Sequence, residues 1–463
     1  MSPLAVIKES FSGRRSETEL AAAPAATERA LRIRTADRAP ALRARVAKRP
    51  VRLFLLLVGP GLLAMIGEND GPSMIAYATT GATYGIGFFI PFVLLTFAMA
   101  YVVQELSARL GIASGSGHAK LIFDRFGRGW GTFAIGDLVL SNLLTLVTEF
   151  IAIAAGAEFF GVSAPWASAF SFAVAMTAFA VGRYRTWERI TIGLAVGNLA
   201  FIPAAFAANA NPHAISRALL TWSPIPSADQ RINFLTLVMA TIGATVTPWM
   251  VFFQQSTVVD KGLTRADLPQ ARLDTAAGAA IAATVAVATM IAASPLFAHH
   301  IALSTLHNGA DFAAALQPYL GHTGASLFAI GLVEAGLVAI MTISTSSAYA
   351  IGDLTRDGAS LNLRFSPRRL FSSTGIISAA VAAVVVLVPG APLLSITIVV
   401  NVTATLLMPP ALIFLLLLVN DRRIAGDLVN SWPANIAAGT VAFGICAVGI
   451  AFVALLFFPQ HLH

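Results

Sequence analysis

Eleven apolar runs, each long enough to cross a lipid bilayer as a helix, constrain this chain more than any other feature of its sequence. A membrane-spanning helix needs about 20 mostly apolar residues. The runs are continuously apolar rather than alternating, which favours helices over a transmembrane β-barrel. The predicted spans cover residues 53–82, 85–108, 131–156, 162–182, 190–208, 233–259, 271–298, 323–351, 371–389, 394–419 and 433–458. The sequence therefore predicts an all-α polytopic membrane protein with about eleven transmembrane helices.

The charged residues are few and unevenly distributed. Only 11% of the chain is charged, against about 25% in soluble globular domains, which excludes a soluble enzyme, a secreted disulfide scaffold and a disordered protein. Residues 1–52 hold 12 Lys or Arg and 5 Asp or Glu, so they carry the whole formal net charge of +7. We therefore expect a basic, mobile cytoplasmic tail over residues 1–52, and no nucleic-acid binding. The one cysteine, Cys446, can form neither an intrachain disulfide nor a multi-cysteine metal site.

The positive charges also predict the orientation of the chain. Cytoplasmic loops of membrane proteins are rich in Lys and Arg. With the N-terminus inside, 28 of the 30 Lys and Arg residues lie in the tail and in the loops on its side of the membrane, and only Arg217 and Arg231 lie on the other side. We therefore expect a multi-pass protein of the cell membrane with a cytoplasmic N-terminus and an extracellular C-terminus.

Two of the predicted spans contain helix breakers beside polar residues. Asp70-Gly71-Pro72 lies near the middle of the first span, and the run Gly243-Ala-Thr-Val-Thr-Pro248 lies in the sixth. Gly loosens the backbone, and Pro lacks an N–H and clashes with the preceding turn. Unwound backbone is tolerated within a membrane only where it lines a cavity or is buried in protein. Both breaks are therefore candidate parts of a binding site.

The two broken spans are five apart in the chain. This spacing fits two inverted repeats, over about 53–208 and 233–420, that each open with a broken helix, and broken helices in corresponding positions indicate the binding site of a transporter. The transporter core is then 53–420, and residues 421–463 hold the eleventh span and a short extracellular C-terminus.

Asp70 is the strongest candidate for a substrate-binding residue. A carboxylate in the middle of a bilayer costs several kcal/mol, and no Lys or Arg occurs between Leu53 and Arg109 to neutralise it. A transported cation would supply the missing positive charge. Glu68 could strengthen the field or hold a water molecule, and Glu149 could relay a proton or an ion. Packing roles for these two acids stay open at this point.

At the two breaks the sequence resembles the Nramp family of divalent-metal transporters. Gly59-Pro-Gly-Leu-Leu63 matches the family's G-P-G opening, Gln104-Glu-Leu-Ser-Ala-Arg-Leu-Gly-Ile112 matches its Q-x-L-S-A-R-L-G-I signature, and Gly243-Ala-Thr-Val-Thr-Pro248 matches its G-A-T-V-M-P. Asn401 falls where the family places a polar residue on span 10. The resemblance extends from about Gly59 to Asn420, and it implies a leucine-transporter-type fold with a 5+5 inverted repeat and broken helices 1 and 6.

The departures from the family pattern bear on the choice of ion. The family's Asp-Pro-Gly-Asn is Asp-Gly-Pro-Ser over residues 70–73, and its Met-Pro-His is Thr-Pro-Trp over residues 247–249. A hydroxyl thus stands where the family has a thioether ligand, and an indole stands where it has the His tied to proton movement. Thioethers suit softer metals, whereas oxygen ligands suit Mg²⁺, Ca²⁺ and Mn²⁺. The pattern is similar to the Nramp-related magnesium transporter branch, which also lacks the sulfur ligand.

The resemblance also implies, by position, which residues surround the ion. The implied ligands are Asp70, Ser73, the carbonyl of Ala244, and Thr247. The implied neighbouring or pathway residues are Glu68, Asn69, Gly71, Pro72, Pro248, Trp249, Gln254, Gln255, Asn401 and Glu149. The two Gln amides are expected to hold hydration waters of the ion.

These observations predict a secondary transporter that imports a hydrated divalent cation, Mg²⁺ or else Mn²⁺, by alternating access and without proton coupling. Two alternatives stay open. One is a proton-coupled Mn²⁺/Fe²⁺ importer with Glu149 or Glu68 in place of the missing His, and the other is an organic-solute carrier on the same fold. No Ser/His or metal-protease motif is present, so we expect no enzyme activity and no resident cofactor. The expected partners are the metal ion and the lipid bilayer, and the sequence leaves the oligomeric state open.

Overall fold

The computed structural model describes residues 25–224, 231–301, 306, 309–354, 360–362, 369–385 and 393–457. Within these ranges all regular secondary structure is helical. One large apolar core runs through the helix bundle. The predicted all-α class is therefore confirmed for the described part of the chain.

The helices are numbered in chain order. They are α1 Ala25–Val46, α2 Pro50–Leu57, α3 Pro60–Ile66, α4 Gly71–Tyr84, α5 Phe89–Ser114, α6 His118–Phe126, α7 Arg128–Glu158, α8 Ala164–Ala180, α9 Tyr184–Ala195, α10 Phe201–Ala207, α11 Pro212–Thr221, α12 Arg231–Gly243, α13 Pro248–Lys261, α14 Leu268–Ala298, α15 Gly309–Gly352, α16 Arg369–Val385, α17 Leu393–Asn420, α18 Arg422–Ala425 and α19 Trp432–Phe457. Short 3₁₀ helices occupy Val196–Ala200, Arg265–Asp267 and Gly426–Leu428.

Eight helical segments of the described residues are long and apolar enough to cross a membrane. They are Phe89–Ser114, Arg128–Glu158, Tyr184–Ala207, Ile232–Lys261, Arg265–Ala298, Ala310–Gly352, Leu394–Asn420 and Trp432–Phe457. The first predicted span is divided into α2, α3 and α4. The predicted spans at 162–182 and 371–389 correspond to α8 and α16, which are 17 residues long each, and residues 386–389 lie outside the described part. Each predicted span thus has a helical counterpart, as expected of a multi-pass membrane protein.

Two connections differ from the sequence prediction. α15 begins at Gly309, fourteen residues before the predicted start at 323, and bends at Gly321, whose φ of 67° is left-handed. Between the two repeats, α11 forms where no element was predicted, and Asn211 caps it by accepting a hydrogen bond from the His213 N–H at 2.9 Å. A polar ten-residue segment gives too weak an apolar pattern to predict such a helix.

The two broken spans pack in the centre of the bundle. α3 and α4 lie against α14, α7 lies against α15, and α12 lies against α17. Gly81 permits the close approach of α4 to α14, because a Cβ at this position would overlap the carbonyl oxygen of Met290. This packing buries both breaks, so their free backbone groups are enclosed by protein, as the membrane requires.

Residues 25–46, which were expected to belong to a mobile tail, form the docked helix α1. Arg34 forms an ion pair with Asp260 at an N···O distance of 3.0 Å. Asp267 forms ion pairs with Arg38 at 3.0 Å and with Arg45 at 2.6 Å. Composition alone does not reveal this docking, because it depends on two buried carboxylates more than 200 residues away. The end of the bundle that carries α1 is called the N-terminal side below.

Asp353 joins the end of α15 to the turn that precedes α6. Its carboxylate accepts a hydrogen bond from the backbone N–H of Lys120, and it lies directly against Gly117. Burial raises the pKa of Asp353 from 3.8 to about 7, although the hydrogen bond and the charge of Lys120 oppose this rise. The carboxyl therefore changes charge near neutral pH.

We expect the unfolding temperature of the purified protein to fall as the pH rises from 6 to 8.5, and to fall about 2 °C less in Asp353→Asn. An acid whose folded-state pKa is raised stabilises the fold below its unfolded-state pKa, and this stabilisation is lost as the pH rises through the folded-state value of about 7. The Asn side chain stays neutral throughout. Differential scanning fluorimetry measures both slopes, and Asp427→Asn, at a highly exposed carboxylate, is the control. Equal slopes for Asp353→Asn and the wild type would contradict this assignment.

Candidate substrate site

The first break lies between α3, which ends at Ile66, and α4, which begins at Gly71. Asp70 is the N-cap of α4, and its Oδ1 accepts a hydrogen bond from the Ser73 N–H at 2.8 Å. Pro72 lies in the first turn, where a missing N–H costs no helical hydrogen bond. The local sequence therefore both starts α4 and holds the Asp70 carboxylate at the break.

The second break lies between α12, which ends at Gly243, and α13, which begins at Pro248. Thr247 precedes α13 in an extended conformation. Gly243 lies against the backbone carbonyl of Asn401 on α17, where a Cβ would overlap the oxygen. The carbonyl ends of α3 and α12 both face the unwound segments, and helix C-termini carry partial negative charge, which favours a cation.

Two side-chain contacts connect the breaks. The Thr247 hydroxyl donates to Oε1 of Glu68 at 2.7 Å. The Tyr77 hydroxyl donates to the carbonyl oxygen of Ala244 at 2.8 Å. Tyr77 was not among the predicted site residues, although it lies one turn after Ser73 on α4. These contacts show that the two breaks meet, as their positions in the repeats predicted.

Three buried carboxyl groups surround the first break. Glu68, Asp70 and Glu149 are 0%, 2% and 0% exposed. Oε2 of Glu149, which projects from α7, accepts a hydrogen bond from the Gly71 N–H at 2.9 Å. The carboxyl groups of Glu149 and Asp70 are close enough to share a hydrogen bond. Two carboxyl groups this close need a proton or a cation to coexist.

Two carboxylate oxygens at the breaks have no hydrogen-bond partner, Oε2 of Glu68 and Oε1 of Glu149. The Ser73 hydroxyl lies within hydrogen-bond reach of the Asp70 carboxylate. Among the described residues, no three His, Cys, Asp or Glu side chains converge as a metal-binding group. A cation at the breaks would therefore be held by carboxylates together with hydroxyl, carbonyl and water oxygens.

Other residues predicted around the ion support the unwound backbone. The amide of Asn401 donates to the Pro72 carbonyl at 3.1 Å, and the amide of Asn69 donates to the Ala282 carbonyl on α14 at 3.0 Å. Trp249 is buried against Gly67 and Phe253. Its indole N–H has no hydrogen-bond partner, so this side chain fills space beside the first break.

The two glutamines predicted to hold hydration waters make hydrogen bonds to neighbouring elements. Gln255 donates to the carbonyl of Ser116 at 2.9 Å and contacts Nδ1 of His118 at 2.8 Å, so both ends of its amide fix α13 to the start of α6. Gln254 donates to Thr275 on α14 at 2.9 Å. α13 turns the Gln255 side chain toward the N-terminal side, and the role of the two glutamines in ion hydration stays a prediction.

The match to known families covers most of the chain. Residues 61–455 match the family model described as natural resistance-associated macrophage protein-like, Nramp. The chain belongs to the Nramp family. The divalent metal cation transporter MntH of Yersinia enterocolitica is 27% identical over 391 residues, which cover 82% of this chain and 90% of that protein. The divalent metal cation transporter MntH 1 of Pseudomonas aeruginosa is 27% identical over 432 residues, which cover 88% of this chain and 93% of that protein. The resemblance of the motifs to the Nramp family is confirmed, its magnesium branch stays a prediction, and the relatives are named as divalent metal cation transporters.

Two solved structures share the fold. The manganese transporter of Eremococcus coleocola, in complex with an aromatic bis-isothiourea compound, superposes with a TM-score of 0.68 at 17% identity over 89% of this chain and 90% of that chain. The structure of MhsT in complex with L-phenylalanine superposes with a TM-score of 0.56 at 14% identity, over 86% of this chain and 97% of that chain. At these identities the likeness concerns the fold alone. It confirms the predicted leucine-transporter-type fold of this Nramp chain.

Proposed function

We propose that this Nramp chain imports a hard divalent cation, with Mg²⁺ as the preferred ion and Mn²⁺ as a second substrate, by alternating access. The observation that supports the proposal is the group of oxygens that the two breaks bring together. These oxygens belong to Glu68, Asp70, Ser73, Thr247 and the Ala244 carbonyl. Such donors suit Mg²⁺ and Mn²⁺. The sulfur of Met74, next to Ser73, is instead engaged by the Thr289 hydroxyl on α14 at 3.3 Å.

The ion is proposed to bind with part of its hydration shell. Mg²⁺ gives up its waters reluctantly and is usually held by one or two carboxylates with several waters. The Tyr77 hydroxyl already occupies the Ala244 carbonyl, and the Thr247 hydroxyl occupies one oxygen of Glu68. Retained waters can accept or donate at these groups, so the protein oxygens need not all bind the metal directly.

Release toward the N-terminal side requires α3 to move. Asp274 on α14 accepts hydrogen bonds from the N–H groups of Gly59, Gly61 and Leu62 at 3.1, 2.8 and 3.2 Å. These bonds hold the start of α3 against the second repeat. We propose that this side faces the cytoplasm, as the Lys and Arg distribution predicts, and that one repeat rocks against the other to release the ion inward.

We expect saturable Mg²⁺ uptake into proteoliposomes that is driven by an inside-negative potential and does not acidify the lumen. Moving two charges down such a potential supplies about 4.6 kcal/mol per 100 mV, which is sufficient to drive uptake, and the indole of Trp249 cannot carry a proton in place of the family's His. A trapped pH dye and a Mg²⁺ dye report both fluxes, with empty liposomes as the control. Absence of Mg²⁺ and Mn²⁺ uptake would refute the proposed function.

A proton-coupled Mn²⁺ importer is the second candidate function. The close carboxyl groups of Asp70 and Glu149, and the free Oε1 of Glu149, favour it. Acidification of the lumen in proportion to metal flux would support this candidate. If Glu149→Gln still takes up metal but no longer acidifies the lumen, Glu149 carries the proton.

A further inference from the structure

An open groove of about 510 Å³ lies on the N-terminal side of the bundle, where α6 and α17 end. The ion pair between Arg265 and Asp427, with an N···O distance of 3.0 Å, locates this side. Asp427 follows α18, and Arg265 shares a 3₁₀ helix with Asp267, which binds α1. The residues that line the groove belong to α6, α17, α18 and the turn between the last two. The groove is therefore separate from the two breaks.

One half of the groove is positively charged. Arg125, Arg422 and Arg423 line it together with Asp421, which gives a formal charge of +2. The Nε–H of Arg125 donates to Oδ2 of Asp421 at 2.6 Å, and its two terminal nitrogens make no hydrogen bond to the described residues. Arg422 is exposed and has no ion-pair partner among the described residues. Guanidinium groups with free N–H donors bind phosphate oxygens in pairs, so this half suits a phosphate group.

The other half of the groove is apolar. Its lining consists of Phe126 on α6 and of Leu416 and Leu417 on α17. Leu417 is 51% exposed, and so is Ile413, which lies one helical turn earlier on the same face of this membrane-spanning helix. A free phosphate ion would leave these apolar side chains uncovered. The lining therefore fits a ligand that combines an anionic head with a hydrocarbon chain.

Aromatic side chains show that the groove lies at the level of the membrane surface. Trp130, in the first turn of α7, is 58% exposed, and Trp side chains are enriched at the level of the lipid headgroups. Its ring centroid lies 6.0 Å from that of Phe414 on α17, which in turn lies 5.4 Å from that of Phe126. The guanidinium of Arg125 lies 5.7 Å from the centroid of the Phe126 ring. The charged half thus lies at headgroup level, and the exposed face of α17 continues from it into the bilayer.

We infer that this groove binds one anionic phospholipid, with its phosphate on Arg125, Arg422 and Arg423 and an acyl chain along Leu417 and Ile413. Basic pockets between spans on the cytoplasmic side are suited to the headgroups of anionic lipids. The trimethylammonium group of phosphatidylcholine would add a further positive charge beside three guanidinium groups, so a zwitterionic lipid is disfavoured. Lipid binding at this groove is independent of which ion the protein carries.

Native mass spectrometry of the purified full chain in detergent tests this assignment by titration with dioleoylphosphatidylglycerol. Dioleoylphosphatidylcholine, which has the same acyl chains, is the matched lipid. We expect the first phosphatidylglycerol to bind about tenfold more tightly than phosphatidylcholine, and Arg422→Gln/Arg423→Gln to weaken it about 30-fold. Arg43→Gln/Arg49→Gln removes two exposed positive charges at the N-terminal end of the chain and should change this affinity less than about threefold.

A change in the apolar half distinguishes a lipid from free phosphate. Leu417→Ser keeps all three Arg residues and should weaken phosphatidylglycerol binding about fivefold, and millimolar inorganic phosphate should not displace the lipid. Equal affinities of the wild type for the two lipids, or an unchanged phosphatidylglycerol affinity in Arg422→Gln/Arg423→Gln, would overturn the assignment. Displacement by inorganic phosphate, with wild-type affinity in Leu417→Ser, would also overturn it and indicate a site for free phosphate.

Discussion

Asp70→Ala is expected to abolish saturable Mg²⁺ uptake into proteoliposomes and to weaken Mg²⁺ binding about 100-fold or more. A desolvated charge contact is worth about 2–5 kcal/mol, and 1.4 kcal/mol corresponds to a factor of ten. Asp70 is almost fully buried at the first break. The described groups around its carboxylate are backbone carbonyls, hydroxyls and further carboxyl groups. Loss of its charge therefore removes the main electrostatic attraction for the ion.

The Ala change also removes the N-cap of α4, so a second variant separates charge from structure. Asp70→Asn keeps an oxygen that can accept from the Ser73 N–H, and it should fold like the wild type while losing uptake like Asp70→Ala. Asp427→Asn, at an exposed acid near α18, should transport normally. Isothermal titration with Mg²⁺ gives the affinities, and wild-type affinity in Asp70→Asn would show that the ion does not bind this carboxylate.

Thr247→Met is expected to shift the ratio of Cd²⁺ to Mg²⁺ uptake about 100-fold toward Cd²⁺. A thioether is a soft ligand that prefers softer metals, whereas a hydroxyl suits Mg²⁺. The change also removes the hydrogen bond from Thr247 to Glu68 and fills space that hydration waters of Mg²⁺ would occupy. The substitution therefore changes the selectivity between the two metal ions, because it alters both the ligand atom at residue 247 and the space left for water.

Thr247→Ser is the matched control for this change. It keeps the hydroxyl that donates to Glu68 and removes only a methyl group, so the uptake ratio should stay within about threefold of the wild type. Competition assays with both ions in the same proteoliposomes measure the ratio directly. An unchanged ratio in Thr247→Met would mean that residue 247 lies outside the ion's coordination shell.

The breaks themselves could be predicted because their causes are local. Gly71 and Pro72 disfavour a continuous helix, and Pro248 does the same in the sixth span. Asp is also a residue type favoured at the N-cap, and the structure shows Asp70 as the cap of α4. The five-span separation of the breaks then placed them in equivalent positions of the two repeats.

The partners across the breaks could not be predicted because they are far apart in the sequence. Glu68 and Thr247 are 179 residues apart, and Tyr77 and Ala244 are 167 apart. Hydropathy and spacing give the axis of a helix but not its rotation about that axis. For this reason Tyr77 was missed, and Gln255 was placed beside the ion although α13 turns it toward His118.

The capping of α3 by Asp274 has a consequence for the reading of genetic variants. A helix of seven residues has almost no stability of its own, so α3 depends on a side chain that belongs to the opposite repeat. A substitution at Asp274 would therefore disturb the substrate pathway without touching the ion. In a screen for loss of transport, such a variant would be mistaken for a change in the binding site, and only an affinity measurement on the isolated protein would tell the two apart.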